Sequence, residues 1–392
     1  MSTSTSTPAL AAYSEWTDPR FRRLVIFYMA YGYAYSALLL VPKFATVALY
    51  ADPTEVGELA SCPVLAAIVA APFCGRLLDR GGHRAAMLFG AALLGASTVG
   101  FGLLQHVGLL AYALRALQGV GNTFIVGGTA VVVTRLVPSE HHGRAFGSAG
   151  AASLMMNAVA SSATEHLADA YGWASAFQVA GAASFVALAI ALGQANVTET
   201  CDAPAAPSAR SAAVTRRAGS YATFAAGAGF GMLVTFTQPY ALSLGAVHVA
   251  SLFAGYTLTA LVVRIGLGGF VDRVGRRRSA LVALGLYAVT VLGAAGLKPD
   301  FLFGLGLSFG VAHGLAWPAL SALAVENAPR GRIGSTLSRM QAYFAAGTVL
   351  AVWAGGRLVG ARGYAFAFAL VAATVATGAV ALALARERRV TP

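Results

Sequence analysis

Charged residues make up only 11% of this 392-residue chain, against about a quarter in ordinary soluble domains, so most of its surface cannot face water. Acidic residues are the rarer sign, 15 against 27 Lys and Arg. Cysteine is nearly absent. Cys62 and Cys74 share one apolar stretch and Cys201 lies in a polar one, which excludes a disulfide framework and suggests no metal site. No segment alternates apolar and polar residues over strand length, so a membrane barrel is excluded. No convergent nucleophile and base stand out, so neither an enzyme nor a cofactor is indicated. The first twenty residues, Ser- and Thr-rich with Glu15 and Asp18, lack the basic region and short apolar core of a cleavable signal peptide and read as a cytoplasmic tail.

Long hydrophobic runs fill the rest. Hydrophobic residues reach 57%, in segments of about 20 residues, the length that spans a bilayer as helix. Twelve are expected, at 24–49, 56–78, 85–104, 108–134, 144–168, 173–194, 220–245, 248–271, 278–297, 300–325, 334–359 and 363–386. They are apolar on every face, as helices in lipid must be. The predicted fold is an all-α membrane protein of two six-helix halves, 24–194 and 220–386, with a tail at 1–23, a linker at 195–219 and a second tail at 387–392.

The net charge of +12 would suggest nucleic acid in a soluble chain. Its distribution gives another meaning. With the N-terminus inside, 21 of the 27 basic residues fall in inner segments, and only Lys298, Arg357 and Arg362 in outer loops. The positive-inside rule then puts both termini in the cytoplasm of a multi-pass protein of the inner (plasma) membrane, with the lipid bilayer and not nucleic acid as its partner.

The halves repeat each other. Gly75, Asp79, Arg80, Gly82 and Arg84 match Gly268, Asp272, Arg273, Gly275 and Arg277 at a constant offset of 193, while Gly172 and Phe177 match Gly363 and Phe368 at 191. Parallel repeats place a substrate site at their interface near the midplane. The G-x-x-x-D-R-x-G-x-R signature, present twice, is the motif by which the chain resembles the major facilitator superfamily. Arg115, Gln118, Gly119 and Gly121 are similar to that superfamily's second motif. An Asp at a helix end beside several Arg can pair across to a neighbouring helix and gate the cytoplasmic side, so Asp79, Arg80, Arg84, Asp272, Arg273 and Arg277 are read as gating residues. Topology anchoring alone would explain the arginines but not the two aspartates.

Three cations fall inside the expected spans: Lys43, Arg115 and Arg264. Charge there costs about 2.5–3.5 kcal/mol on the gentlest scale and marks function. No acid is expected at comparable depth, the nearest being Glu165 toward the outer end of the fifth span, so the site should attract an anion. Lys43 has an alternative as a snorkelling residue, and Arg115 as a structural or proton-linked one. Tyr33, Tyr35, Pro42, Lys43 and Thr46 resemble the first helix of the monocarboxylate transporter family, and Arg264 with Gly268 is similar to the segment in which that family and the oxalate/formate exchangers hold a carboxylate-gripping Arg. The acid one turn before that Arg in animal members is Ala260 here, and the eleventh span has no lysine. Asn122, Asn157, Gln238 and His313 could complete the site or simply join helices. His313 and His166 are candidate proton carriers.

These readings predict a monomeric secondary transporter of a small organic anion, a monocarboxylate by resemblance, that is proton-coupled or works by exchange. The substrate residues would be Arg264, Lys43, Arg115, Asn122, Gln238, His313 and Tyr35. An exporter of drugs or secondary metabolites is the alternative, against which stands the missing Gly-Pro motif of antiporters where Ala160 and Ser161 occur.

Overall fold

The computed structural model describes residue 16 and residues 18–138, 141–193, 213–266, 274–326 and 333–385. Asp272 and Arg273, both tails for the most part, and residues 195–212 of the expected linker lie outside the described residues. Among the described residues all regular structure is helical.

Helix α1, Pro19–Ala37, starts where Asp18 accepts a hydrogen bond from the Arg20 backbone N–H at 2.7 Å and proline fills its first turn, the position where a missing N–H costs nothing. A 3-10 turn, Leu38–Leu40, separates it from α2, Val41–Ala48. The break precedes Pro42, which cannot continue an α-helical hydrogen-bond ladder. Helix α3, Pro53–Asp79, opens with a reciprocal cap between Asp52 and Glu55, and α4, His83–Gly102, and α5, Leu109–Leu136, follow. Helix α6, His142–Leu192, carries two of the expected segments and turns between them at Gly172, whose φ of 82° suits a residue without Cβ. The second half holds α7, Ala213–Ser243; α8, Ala250–Gly266; α9, Arg276–Ala295; α10, Leu302–Glu326; α11, Ile333–Arg362; and α12, Tyr364–Leu384. Nine helical stretches among the described residues are long and apolar enough to cross a membrane, and Ala250–Arg264 is a shorter apolar one.

The sequence repeat has a structural counterpart. Gly363 takes φ 82°, as Gly172 does. Phe44 packs its ring on Trp173 and Phe177 at 5.3 and 5.1 Å, and Tyr240 packs on Tyr364 and Phe368 at 4.8 and 6.1 Å. The last arginine of each motif does the same work in each half. Arg84 donates to the Leu192 carbonyl at the end of α6, and Arg277 donates to the Leu382, Ala383 and Ala385 carbonyls at the end of α12. Helix ends leave carbonyls unpaired and partly negative, so a guanidinium there satisfies both needs.

These contacts define a near face, where α1 begins and α3, α6 and α12 end, and a far face, where α2 ends and α3 and α8 begin. Among the described residues, several bonds that join the halves lie at the far face. Gln238 on α7 donates to Leu39 O at 2.8 Å, Arg357 on α11 reaches Glu58 on α3 at 2.8 Å, and α3 lies against α11 where Gly57 meets Val352. Within the second half, α7 and α11 touch backbone to backbone, since a Cβ on Gly347 would overlap the Phe224 carbonyl oxygen. Gly347→Ala should therefore lower stability by about 1–3 kcal/mol, the usual cost of overpacking, measurable as a lower thermal unfolding midpoint in detergent.

Candidate functional site

In the first half, three tyrosines of α1 follow one face: Tyr28, Tyr31 and Tyr35. Tyr31 donates its hydroxyl to Asn122 Oδ1 at 2.5 Å and stacks on Tyr35, with ring centroids 5.9 Å apart. Arg115 lies within electrostatic reach of Tyr35, about 9 Å into α5 at ~1.5 Å per residue. It is buried, donating from Nε to Leu59 O at 3.0 Å and from Nη1 to Gln118 Oε1 at 2.7 Å. It pairs with no carboxylate among the described residues. The expected Tyr35, Arg115 and Asn122 thus form one group, linked by Tyr31.

The second half supplies an aromatic cluster around His313. Tyr287 shares a hydrogen bond with His313 Nδ1 at 3.2 Å, and the rings of Phe230, Tyr256, Phe309 and Phe344 lie 5.0–6.2 Å from the imidazole. Arg264 stands next to this cluster, its charge acting on both Tyr256 and His313. Tyr256, Ala260 and Arg264 recur every four residues and so share a helix face. Tyr256 and Ala260 are buried, whereas Leu258 and Val262, on the other side of α8, are 53% and 60% exposed. Arg264 is itself exposed. Among the described residues it makes no hydrogen bond or ion pair.

Lys43 is not the unpartnered cation that its sequence context suggests. Its ammonium donates to Glu165 Oε1 at 2.6 Å and to Val247 O at 2.8 Å, and both side chains are buried. Glu165 accepts two further bonds, from the backbone N–H groups of Val249 and Ala250 at 2.8 and 2.9 Å. A carboxylate on the first N–H groups of α8 is favoured by the helix dipole and fills otherwise orphaned donors. Lys43 and Glu165 belong to the first half, and Val247, Val249 and Ala250 to the second. The group is therefore an inter-half clasp at the far face, with Lys43 as one of its members. At its rim His248 approaches Asp169 at 3.4 Å and stacks on His166.

Gln238 also serves the seam, donating to Leu39 O and Val234 O from Nε2 while its Oε1 is buried without a partner. Asp79 and Arg80 are exposed and unbonded among the described residues, and Arg84 and Arg277 cap helix ends within their own halves. Sequence reasoning missed Glu165 as a partner and the rings that enclose His313. Glu165 could have been found, since the ends of the first and fifth spans lie at the same depth in an up-and-down topology.

Comparison with known proteins agrees with the architecture. The sequence profile of the Major Facilitator Superfamily matches residues 24–247 and 219–392. An uncharacterized MFS-type transporter of Mycobacterium tuberculosis is 31% identical over 139 residues, and multidrug resistance protein 2 of Bacillus subtilis is 26% identical over 113. These matches cover 33% and 29% of this chain and only 24% and 28% of the relatives' own lengths. Among solved structures, the nucleoside transporter NupG superposes with a TM-score of 0.73 at 13% identity, covering 93% of this chain and 98% of its own. A POT family transporter in complex with 5-aminolevulinic acid gives 0.76 at 12%, covering 93% and 95%.

Proposed function

The chain belongs to the Major Facilitator Superfamily, and on that premise we propose that it is a secondary active transporter of a small organic anion, a monocarboxylate foremost. Its halves, 24–194 and 220–386, would rock about a central site within the inner membrane, twelve helices in all, with the near face and both termini cytoplasmic. The observation that carries the anion reading is the state of the three intramembrane cations. Lys43 has an acid, whereas Arg115 and Arg264 have none among the described residues. Arg264 is the exposed one, and a planar guanidinium is suited to a bidentate grip on a carboxylate. The clasp at Lys43 and Glu165 supports alternating access, because it joins the halves at the far face, where other hydrogen bonds and ion pairs between them among the described residues also lie. The arrangement described is then shut to the outside, and coupling to protons or exchange of one anion for another would drive its reopening. The protein is read as working as a monomer.

Similarity to multidrug resistance protein 2 and the aromatic rings around His313 favour a second reading, export of an apolar drug or secondary metabolite. Uptake of radiolabelled lactate, pyruvate and oxalate into proteoliposomes, with and without an inward proton gradient, separates the two. Saturable uptake of at least one acid is expected, and its response to the gradient tells symport from exchange. Uptake of none, together with extrusion of a lipophilic dye such as ethidium, would overturn the anion reading.

A further inference from the structure

A cavity at the near face of the second half belongs to no part of the site above. Its inner chamber, about 80 Å³, is bounded by Arg216 and Ser220 on α7, Leu320 and Leu323 on α10, and Thr336 and Arg339 on α11. A wider and more open chamber of about 580 Å³ shares Arg216, Ser220 and Tyr343 with it and adds Arg217, Tyr221 and Phe224. Three arginines therefore surround connected space, with hydroxyl groups between them and, among the described residues, no carboxylate in either lining. Glu326, the acid at the end of α10, is engaged elsewhere, 3.6 Å from Arg276. Guanidinium donors around a small chamber are the chemistry that takes a phosphate- or carboxylate-type anion, while the Ser220 hydroxyl donates to the Arg216 carbonyl of its own helix.

The surroundings select among anions. The inner chamber's wall on α10 is aliphatic, and the outer chamber is framed by rings, with Tyr221 and Tyr343 exposed. Aromatic side chains exposed at a helix-bundle end mark the depth of lipid headgroups, and basic pockets between helices at that depth take anionic headgroups. We infer that this cavity is a binding site for an anionic phospholipid, its phosphodiester in the arginine chamber and its glycerol and upper chains along Tyr221, Phe224 and Tyr343. The lipid would tie together the near-face ends of α7, α10 and α11. The inference does not depend on the identity of the transported substrate.

The full chain in detergent, titrated with phosphatidylglycerol or with phosphatidylcholine, tests this through its thermal unfolding midpoint and through lipid retained in native mass spectrometry. Phosphatidylglycerol should raise the midpoint and remain bound, and phosphatidylcholine should do neither. The Arg216→Gln, Arg339→Gln double variant should bind phosphatidylglycerol roughly 30-fold more weakly, the effect of two basic residues at the surface value for each. Its midpoint in phosphatidylcholine should match wild type, which checks folding. Arg278→Gln, outside the cavity at the same face, should bind as wild type does. Equal response to the two lipids, or equal weakening by Arg278→Gln, overturns the site. Protection by inorganic phosphate or lactate as strong as that by phosphatidylglycerol overturns the lipid assignment and makes the cavity a site for a soluble anion.

Discussion

Glu165→Ala is expected both to destabilise the protein and to open its far face. The carboxylate holds one ammonium and two backbone N–H groups in a buried position. Removing it leaves Lys43 as an uncompensated charge, and breaking one side of a buried pair costs about 3–5 kcal/mol. Part of that cost can be avoided if the halves separate at the far face and water reaches Lys43, so the same change that lowers the unfolding midpoint should favour the outward-open form. Ser61 reports on it, because it is buried on α3 within reach of Val349 O on α11. In a chain with Cys62, Cys74 and Cys201 replaced by serine, Ser61→Cys should react slowly with a membrane-impermeant maleimide, and markedly faster once Glu165→Ala is added. The Lys43→Met, Glu165→Leu pair should recover most of the stability, since apolar replacements of buried ion pairs are often neutral or better, yet still label fast because nothing then holds the start of α8. Unchanged labelling in both variants would mean that the clasp is not what keeps the far face shut.

Much of this was legible from sequence, and the exceptions have a common cause. The apolar segments and the repeat follow from composition and offset, and Gly172 and Gly363 sit at matching turns because each half needs the same positive φ between its fifth and sixth segments. The arginines of the repeated motif were visible too, but their partners were not. A guanidinium at a helix junction can pair with an acid across the seam or with carbonyls of its own half, and Arg84 and Arg277 take the carbonyls. Lys43 and Glu165 are 122 residues apart, and whether they meet depends on the break at Leu38–Leu40 that turns α2. The rings around His313 could not be read either. In helices that are apolar on every face, hydrophobic periodicity no longer tells an inward ring from one that faces lipid.

Arg264 and Arg115 should respond in opposite ways to the same conservative change, and this contrast tests the assignment of the site. Arg264→Lys keeps the charge but loses the fork that can hold both oxygens of a carboxylate. Loss of one charge-assisted hydrogen bond is worth about 1.5–3 kcal/mol, so transport of the preferred anion should fall roughly 10- to 100-fold. Folding should hardly notice, because Arg264 is exposed and bonds to nothing among the described residues, and such substitutions stay within about 0.5 kcal/mol. Arg115 is the reverse case. Its Nε and Nη1 donors tie α5 to α3 through Leu59 and hold Gln118 in place, and lysine cannot reproduce two donors on one plane. Arg115→Lys should lower stability by about 1.5–3 kcal/mol and reduce transport in proportion to the protein that remains folded. The paired measurement is uptake per folded molecule beside the thermal midpoint. A loss of stability in Arg264→Lys as large as that in Arg115→Lys, with uptake per folded molecule unchanged, would make Arg264 a structural residue and return the search for the anion's partner to Arg115.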